Sequence, residues 1–152
     1  MSFFEINITA EIPKPRFSPV RLKKNVRAIL KTLGWKKAAL SLLLTGDRGI
    51  RKLNKKYLRH DRPTDVIAFG QLEGKALRTA SGARPFLGDI AVSMETAARR
   101  AAGFGNSFDY ELHFYFCHGI LHLMGWRDKT AAQRKRMLAK QAKILKKIGI
   151  KP

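Results

Sequence analysis

Between Ala101 and Trp126 the chain holds no lysine or arginine, although it carries 31 of them elsewhere against 11 acids. A neutral stretch between basic flanks is where the ligand-type side chains of this chain gather, and the other segments are read around it. Within it, Phe108 to Phe116 is apolar apart from two acids and a histidine. This predicts a buried helix with its polar groups on a single stripe. His118 and His122 follow four residues apart, a spacing that puts both imidazoles on one helical face, one turn above the other. Gly125 tolerates the left-handed conformation that closes many helices, which lets the chain turn back and bring Asp128 toward the histidines. A His118, His122, Asp128 set suits zinc, which takes imidazole nitrogen and carboxylate oxygen and, in catalytic sites, keeps a water on the fourth position. The other reading of the two histidines is ordinary hydrogen bonding near a helix end.

The remaining segments supply the cover. Phe3 to Thr9 alternates enough, with Phe4, Ile6 and Ile8 on one side, to predict a strand that ends at Pro13 and Pro15. Ser18-Pro19 starts a helix in which Leu22, Val26, Ile29, Leu30 and Leu33 recur at helical spacing before Gly34. Ala38 to Thr45 is almost continuously apolar, as in a central strand buried on both faces. After Gly46-Asp47, a helix is expected over about Arg48 to Leu58, then short strands at Val66 to Phe69 and Leu87 to Val92. The polar stretch from Gln71 to Phe86, with Arg78 and Arg84, is either a loop that closes over a ligand or a long hairpin connection. Ser93 caps a helix rich in alanine, stopped by Gly103 and Gly105. Thr130-Ala131-Ala132-Gln133 fits a capping box that opens the last helix, with Met137, Leu138, Ile144, Leu145 and Ile148 inward. The expected fold is α+β, a single domain over residues 1–152, with a mixed sheet of about four strands and about five helices.

Charge placement narrows the partner. Of the net charge of +20, 18 units lie in two segments, Lys14 to Lys37 and Arg127 to Lys151. Basic flanks around a neutral centre suit an enzyme that captures a polyanion, nucleic acid above all; the alternative is a pair of solvated helix faces. The single cysteine, Cys117, cannot form an internal disulfide, and it points away from the stripe that bears His118. With no membrane-length apolar run and no secretory order at the N-terminus, the expectation is a soluble cytoplasmic protein.

The run from His118 to Asp128, His-Gly-Ile-Leu-His-Leu-Met-Gly-Trp-Arg-Asp, resembles the signature of the YbeY endoribonucleases, the rRNA maturation factors. Three further stretches agree in order: Leu53-Asn54 with Tyr57, then Pro63-Thr64-Asp65-Val66-Ile67-Ala68-Phe69, then Leu87-Gly88-Asp89-Ile90. The resemblance implies one zinc on the signature's three ligands, hydrolysis of RNA phosphodiester bonds, and a role with the small ribosomal subunit in maturing and checking its RNA. Two positions depart from the pattern. The family's third ligand is normally histidine, where this chain has Asp128, a carboxylate that leaves another divalent metal open beside zinc, preceded by Arg127 in place of an aspartate. The arginine that usually follows the tyrosine is Leu58 here, and Arg59 lies one residue later as the candidate phosphate contact.

Three polar residues carry paired readings. Asp65 either orients a metal-bound histidine or makes a turn hydrogen bond. Asp89 is either a strand-end hydrogen bonder or a second polar group near the site. Glu111 either reaches a ligand or RNA 2′-hydroxyl through water or is a buried structural carboxylate. For function, metal-assisted RNA cleavage leads, by a metal-bound water on His118, His122 and Asp128 that attacks phosphorus or serves as base for a 2′-hydroxyl. A non-catalytic rRNA-binding assembly factor with a structural metal is one alternative. A zincin-like metalloprotease is the other, although its general-base glutamate would fall on Gly119.

Overall fold

Alternation assigns the sheet faces. The computed structural model describes residues 3–59, 65–70 and 85–152. In β1 (Phe3–Ala10) Ile6 is buried and Phe4 and Ile8 half-buried, while the residues between them face solvent. β2 (Lys37–Thr45) pairs with it in parallel. The prediction that β2 is buried on both faces holds for one: Ala38, Leu40, Leu42 and Leu44 are enclosed, but Ala39, Ser41 and Leu43 are only half-buried. The reason lies in what covers each face. Sheet order is β1-β2-β4-β3, with β3 (Val66–Gly70) antiparallel to β4 (Phe86–Ser93) and β4 parallel to β2. On one side Leu40, Leu42, Leu44, Ile90 and Val92 join the main core with α1 (Pro19–Thr32) and α4 (Phe108–Leu123). On the other, α2 (Asp47–Leu58) brings Ile50 and Leu53 onto Leu43, Ile67, Phe69 and Ala91, a smaller cluster.

Gly88 creates a local departure in β4. Its φ of +147° sits at a register shift, and a side chain there would collide with the Phe69 carbonyl. Such a bulge re-aims the strand, so Leu87 joins the main core although alternation alone would turn it away.

α3 (Met94–Phe104) begins at a Ser93 cap and runs through Gly103; Gly105 alone closes it, in the left-handed conformation. Glycine weakens a helix but ends one only where that backbone geometry is taken. Asp47 joins the starts of α2 and α3: its Oδ1 accepts from Ser93 Oγ at 2.5 Å and Thr96 Oγ1 at 2.6 Å, while Oδ2 pairs with Arg99 at 2.8 Å. α5 (Ala131–Lys147) opens with the expected capping box. Met137, Ile144 and Leu145 are buried as expected, Ile148 is half-buried, and Leu138 is 49% exposed. At 100° per residue, position 138 falls to the flank of the sector shared by 137, 144 and 145, and Gln141 takes the inward place.

α4 is the enclosed helix. Gly119 meets the sheet so closely that a Cβ would stand 2.7 Å from Ile90 Cγ2. Its polar residues do not share one stripe, as the sequence reading expected. His113 turns to α1, where Asn25 Nδ2 donates to its Nε2 at 3.0 Å and its Nδ1 donates to the Asp109 carbonyl at 2.7 Å. Positions 113 and 118 lie well apart around a helix, so each faces a different neighbour. Among the described residues no helix is long and apolar enough to cross a membrane.

Candidate metal centre

The end of α4 makes the site. Gly125 has a φ of +95°, its N–H donates to the His122 carbonyl, and the Trp126 N–H reaches back to Leu121. This pair of bonds is a Schellman closure, which reverses the chain just after the second histidine. The reversal places the Trp126 carbonyl 3.0 Å from His122 Nδ1 and carries Asp128 over both rings. His118 Nδ1 lies 2.8 Å from Gln141 Oε1, and the Gln141 amide nitrogen donates to the Phe114 carbonyl at 3.1 Å. A carbonyl oxygen only accepts, so both Nδ1 atoms carry the proton and both Nε2 atoms present a lone pair.

Those lone pairs face each other. The two Nε2 atoms are 2.9 Å apart and Asp128 Oδ2 is 3.3 Å from each. Three electron-rich atoms in such a triangle repel unless a cation lies among them, and ligands on a tetrahedral zinc at its usual bond lengths stand about 3.3 Å apart. The residues therefore fit a metal ion of zinc's size and donor preference. They form the one group of three or more His, Cys, Asp or Glu ligands found among the described residues. Side-chain exposure rises from 17% at His118 to 30% at His122 and 39% at Asp128, so the centre opens toward solvent on the Asp128 side. Arg134 holds that side, donating to the Asp128 and Lys129 carbonyls at 3.3 and 3.0 Å.

The structure thus brings together the three predicted ligands and separates other candidates from them. Gln141 and the Trp126 carbonyl hold the histidines, and Asp65 instead accepts from the Val66 N–H at 2.8 Å and pairs with Arg100 at 3.4 Å, the turn role. Asp89 shares its face of β4 with Ala91, which belongs to the α2 side of the sheet, away from α4. Glu111 is buried and accepts from Asn106 at 2.8 Å, the structural role. Cys117 is buried in the core, where desolvation pushes its thiol up to about 12. Gly119 leaves no room for a protease glutamate, because its close side is filled by Ile90. Arg59 ends α2 with a left-handed φ of 58°, exposed, and no hydrogen bond or ion pair joins it to the three ligands. Leu58 beside it is exposed too, and Tyr57 packs edge-on against Phe69 at 5.2 Å. His60 to Thr64 and Gln71 to Arg84, with Arg78, fall outside the described residues.

Sequence reasoning missed Gln141, Arg134 and the Trp126 carbonyl. Only Gln141 left a signal: it is a polar residue on the apolar face of a helix, which needs a buried partner.

Comparison with known proteins gives the family. The family described as Endoribonuclease YbeY matches residues 7–149. The chain is 44% identical over 128 residues to an Endoribonuclease YbeY of Geobacter metallireducens, covering 82% of each chain. It is 37% identical over 145 residues to that of an Anaeromyxobacter species, covering 95% of this chain and 72% of the relative. A solution structure of a Thermotoga maritima protein superposes with a TM-score of 0.65 at 27% identity, over 94% of this chain and 88% of that one.

Proposed function

The chain belongs to the YbeY endoribonuclease family, and on that premise we propose that it cleaves RNA phosphodiester bonds at one zinc ion held by His118, His122 and Asp128. We place this work in the cytoplasm, on ribosomal RNA of the small subunit. The observation that carries the reading is the triangle of two imidazole lone pairs and one carboxylate oxygen at 2.9 and 3.3 Å. When bound, the ion supplies a Lewis acid for phosphoryl oxygen and a water made more acidic than bulk.

The chain's own residues set that centre up. Gln141 and the Trp126 carbonyl hold the Nδ1 protons, so each ring keeps Nε2 free for coordination. Asp128 brings a negative charge where the family has a neutral ligand, which compensates part of the ion's charge and shifts the expected activity toward higher pH. Its exposed side is where an RNA strand enters. Arg59 is the proposed phosphate contact, an exposed cation at the end of α2. The assembly-factor alternative would place the same three residues on a structural metal, and RNA cleavage separates the two.

Incubating RNA and casein with wild type and Asp128→Ala, zinc added, tests the reading. Wild type is expected to cut RNA and spare casein, and the variant to lose more than the roughly 10–100-fold typical of removing an outer contact. RNA bound but uncut by metal-loaded wild type would leave an assembly factor, and casein cleavage would restore the protease.

A further inference from the structure

Helix α5 carries seven bases and no acid, and no acid follows it in the chain. Arg134 is engaged by the ligand loop. Four others, Arg136, Lys140, Lys143 and Lys147, recur at steps of four, three and four residues, which makes one strip along the helix. Like charges at those steps repel, and among the described residues no ion pair relieves any of the four. At 1.5 Å per residue the strip is about 16 Å long. Gln141 sits between Lys140 and Lys143 and touches His118 Nδ1, so the strip runs within about one helix diameter, roughly 10–12 Å, of that contact. A lipid surface fits poorly, because membrane-surface helices bury an apolar face in the bilayer, whereas Met137, Ile144 and Leu145 are already enclosed in the core.

We propose that this strip is a binding site for the RNA backbone outside the metal centre, each of the four cations taking one phosphate of the strand that leads away from the cleaved bond. The proposal rests on RNA being the substrate. It also sets α5 apart from α1, which carries five bases and no acid and meets α4 through His113, on another side of that helix from the ligand histidines.

The test replaces all four residues (Arg136→Gln, Lys140→Gln, Lys143→Gln, Lys147→Gln), which keeps good helix formers. Fluorescence anisotropy then follows a labelled single-stranded RNA from about 50 to about 200 mM salt. Each lost contact removes about 0.7 from the log–log salt slope, so the slope falls by about 3, and over that range wild type loses roughly 50-fold more affinity than the variant. An α1 variant of matched charge (Lys23→Gln, Lys24→Gln, Arg27→Gln, Lys31→Gln) is expected to change the slope less. An unchanged slope in the α5 variant overturns the proposal, and so does an equal change in both variants, which would mean net charge alone. Phosphatidylserine vesicles are the second probe: vesicle binding lost in the α5 variant while its RNA slope stays at the wild-type value would assign the strip to lipid. Cleavage of a dinucleotide, too short to reach α5, reports the metal centre separately, so failure there is distinguishable from failure of the strip.

Discussion

Gln141→Met is the sharpest perturbation of the centre. Methionine has similar length and packs where glutamine did, but it cannot accept from His118 Nδ1 at 2.8 Å or donate to the Phe114 carbonyl. Gln141 is itself fully buried, so its side-chain bonds are made away from bulk solvent. Leaving a buried donor unsatisfied costs about 1–3 kcal/mol, which is the expected loss of stability in the metal-free protein by urea denaturation. The ring also loses the contact that sets its tautomer and orientation. Removing an outer partner of this kind weakens metal binding about 10–100-fold, or about 1.4–2.8 kcal/mol, read by competition with a chromophoric zinc chelator. Gln141→Glu keeps an acceptor at that place and is expected to recover part of the affinity. Zinc affinity in Gln141→Met within about threefold of wild type, well short of that 10–100-fold, would refute the reasoning, since the ring would then be oriented by packing alone.

Other outcomes follow from the same geometry. Metal analysis is expected to find about one ion per chain, lost in His118→Ala; full occupancy in that variant would show another ligand set. Gly119→Ala places a Cβ 2.7 Å from Ile90 Cγ2 on a stiff branched side chain, so about 1–3 kcal/mol of destabilisation is expected by urea denaturation despite alanine's better helix propensity. His113 has a pKa lowered from 6.5, mainly by burial, with the Asp109 carbonyl and charge opposing and Arg21 assisting. The unfolded chain then takes up a proton near 6.5 and the folded one only below it, so this contribution to stability is complete above that pH and declines as pH falls toward the folded value. His113→Gln should flatten the fall in stability as pH drops from 7 through about 6.5; a slope identical to wild type would mean that the imidazole titrates alike in the folded and unfolded chain.

Much of the centre was legible in the chain because its ligands are local. His118 and His122 share a face by helical geometry, and Gly125 turns Asp128 back through hydrogen bonds that span only a few residues. The caps at Ser18, Ser93 and Thr130 were readable for the same reason: each bonds an N–H three residues on. Where the reading failed, distance along the chain was the cause. The half-buried face of β2 depended on a single helix, α2, reaching it, and the inward place of Gln141 over Leu138 depended on how α5 rolled onto α4. Asp65 kept two readings until Gln141, 23 residues from His118, was seen to hold the ring.

Short-range order by itself determined the helices, the strands, the two-histidine stripe and the basic character of both flanks, since periodicity and charge are properties of neighbouring residues. Only the packed molecule decided which groups keep the imidazole protons on Nδ1, why position 119 admits no side chain, and that His113 belongs to α1 and not to the metal. Those outcomes depend on surfaces that meet across the fold, where ångström-scale fit and the cost of burying an unpaired polar atom select one arrangement among several that the same periodicity allows.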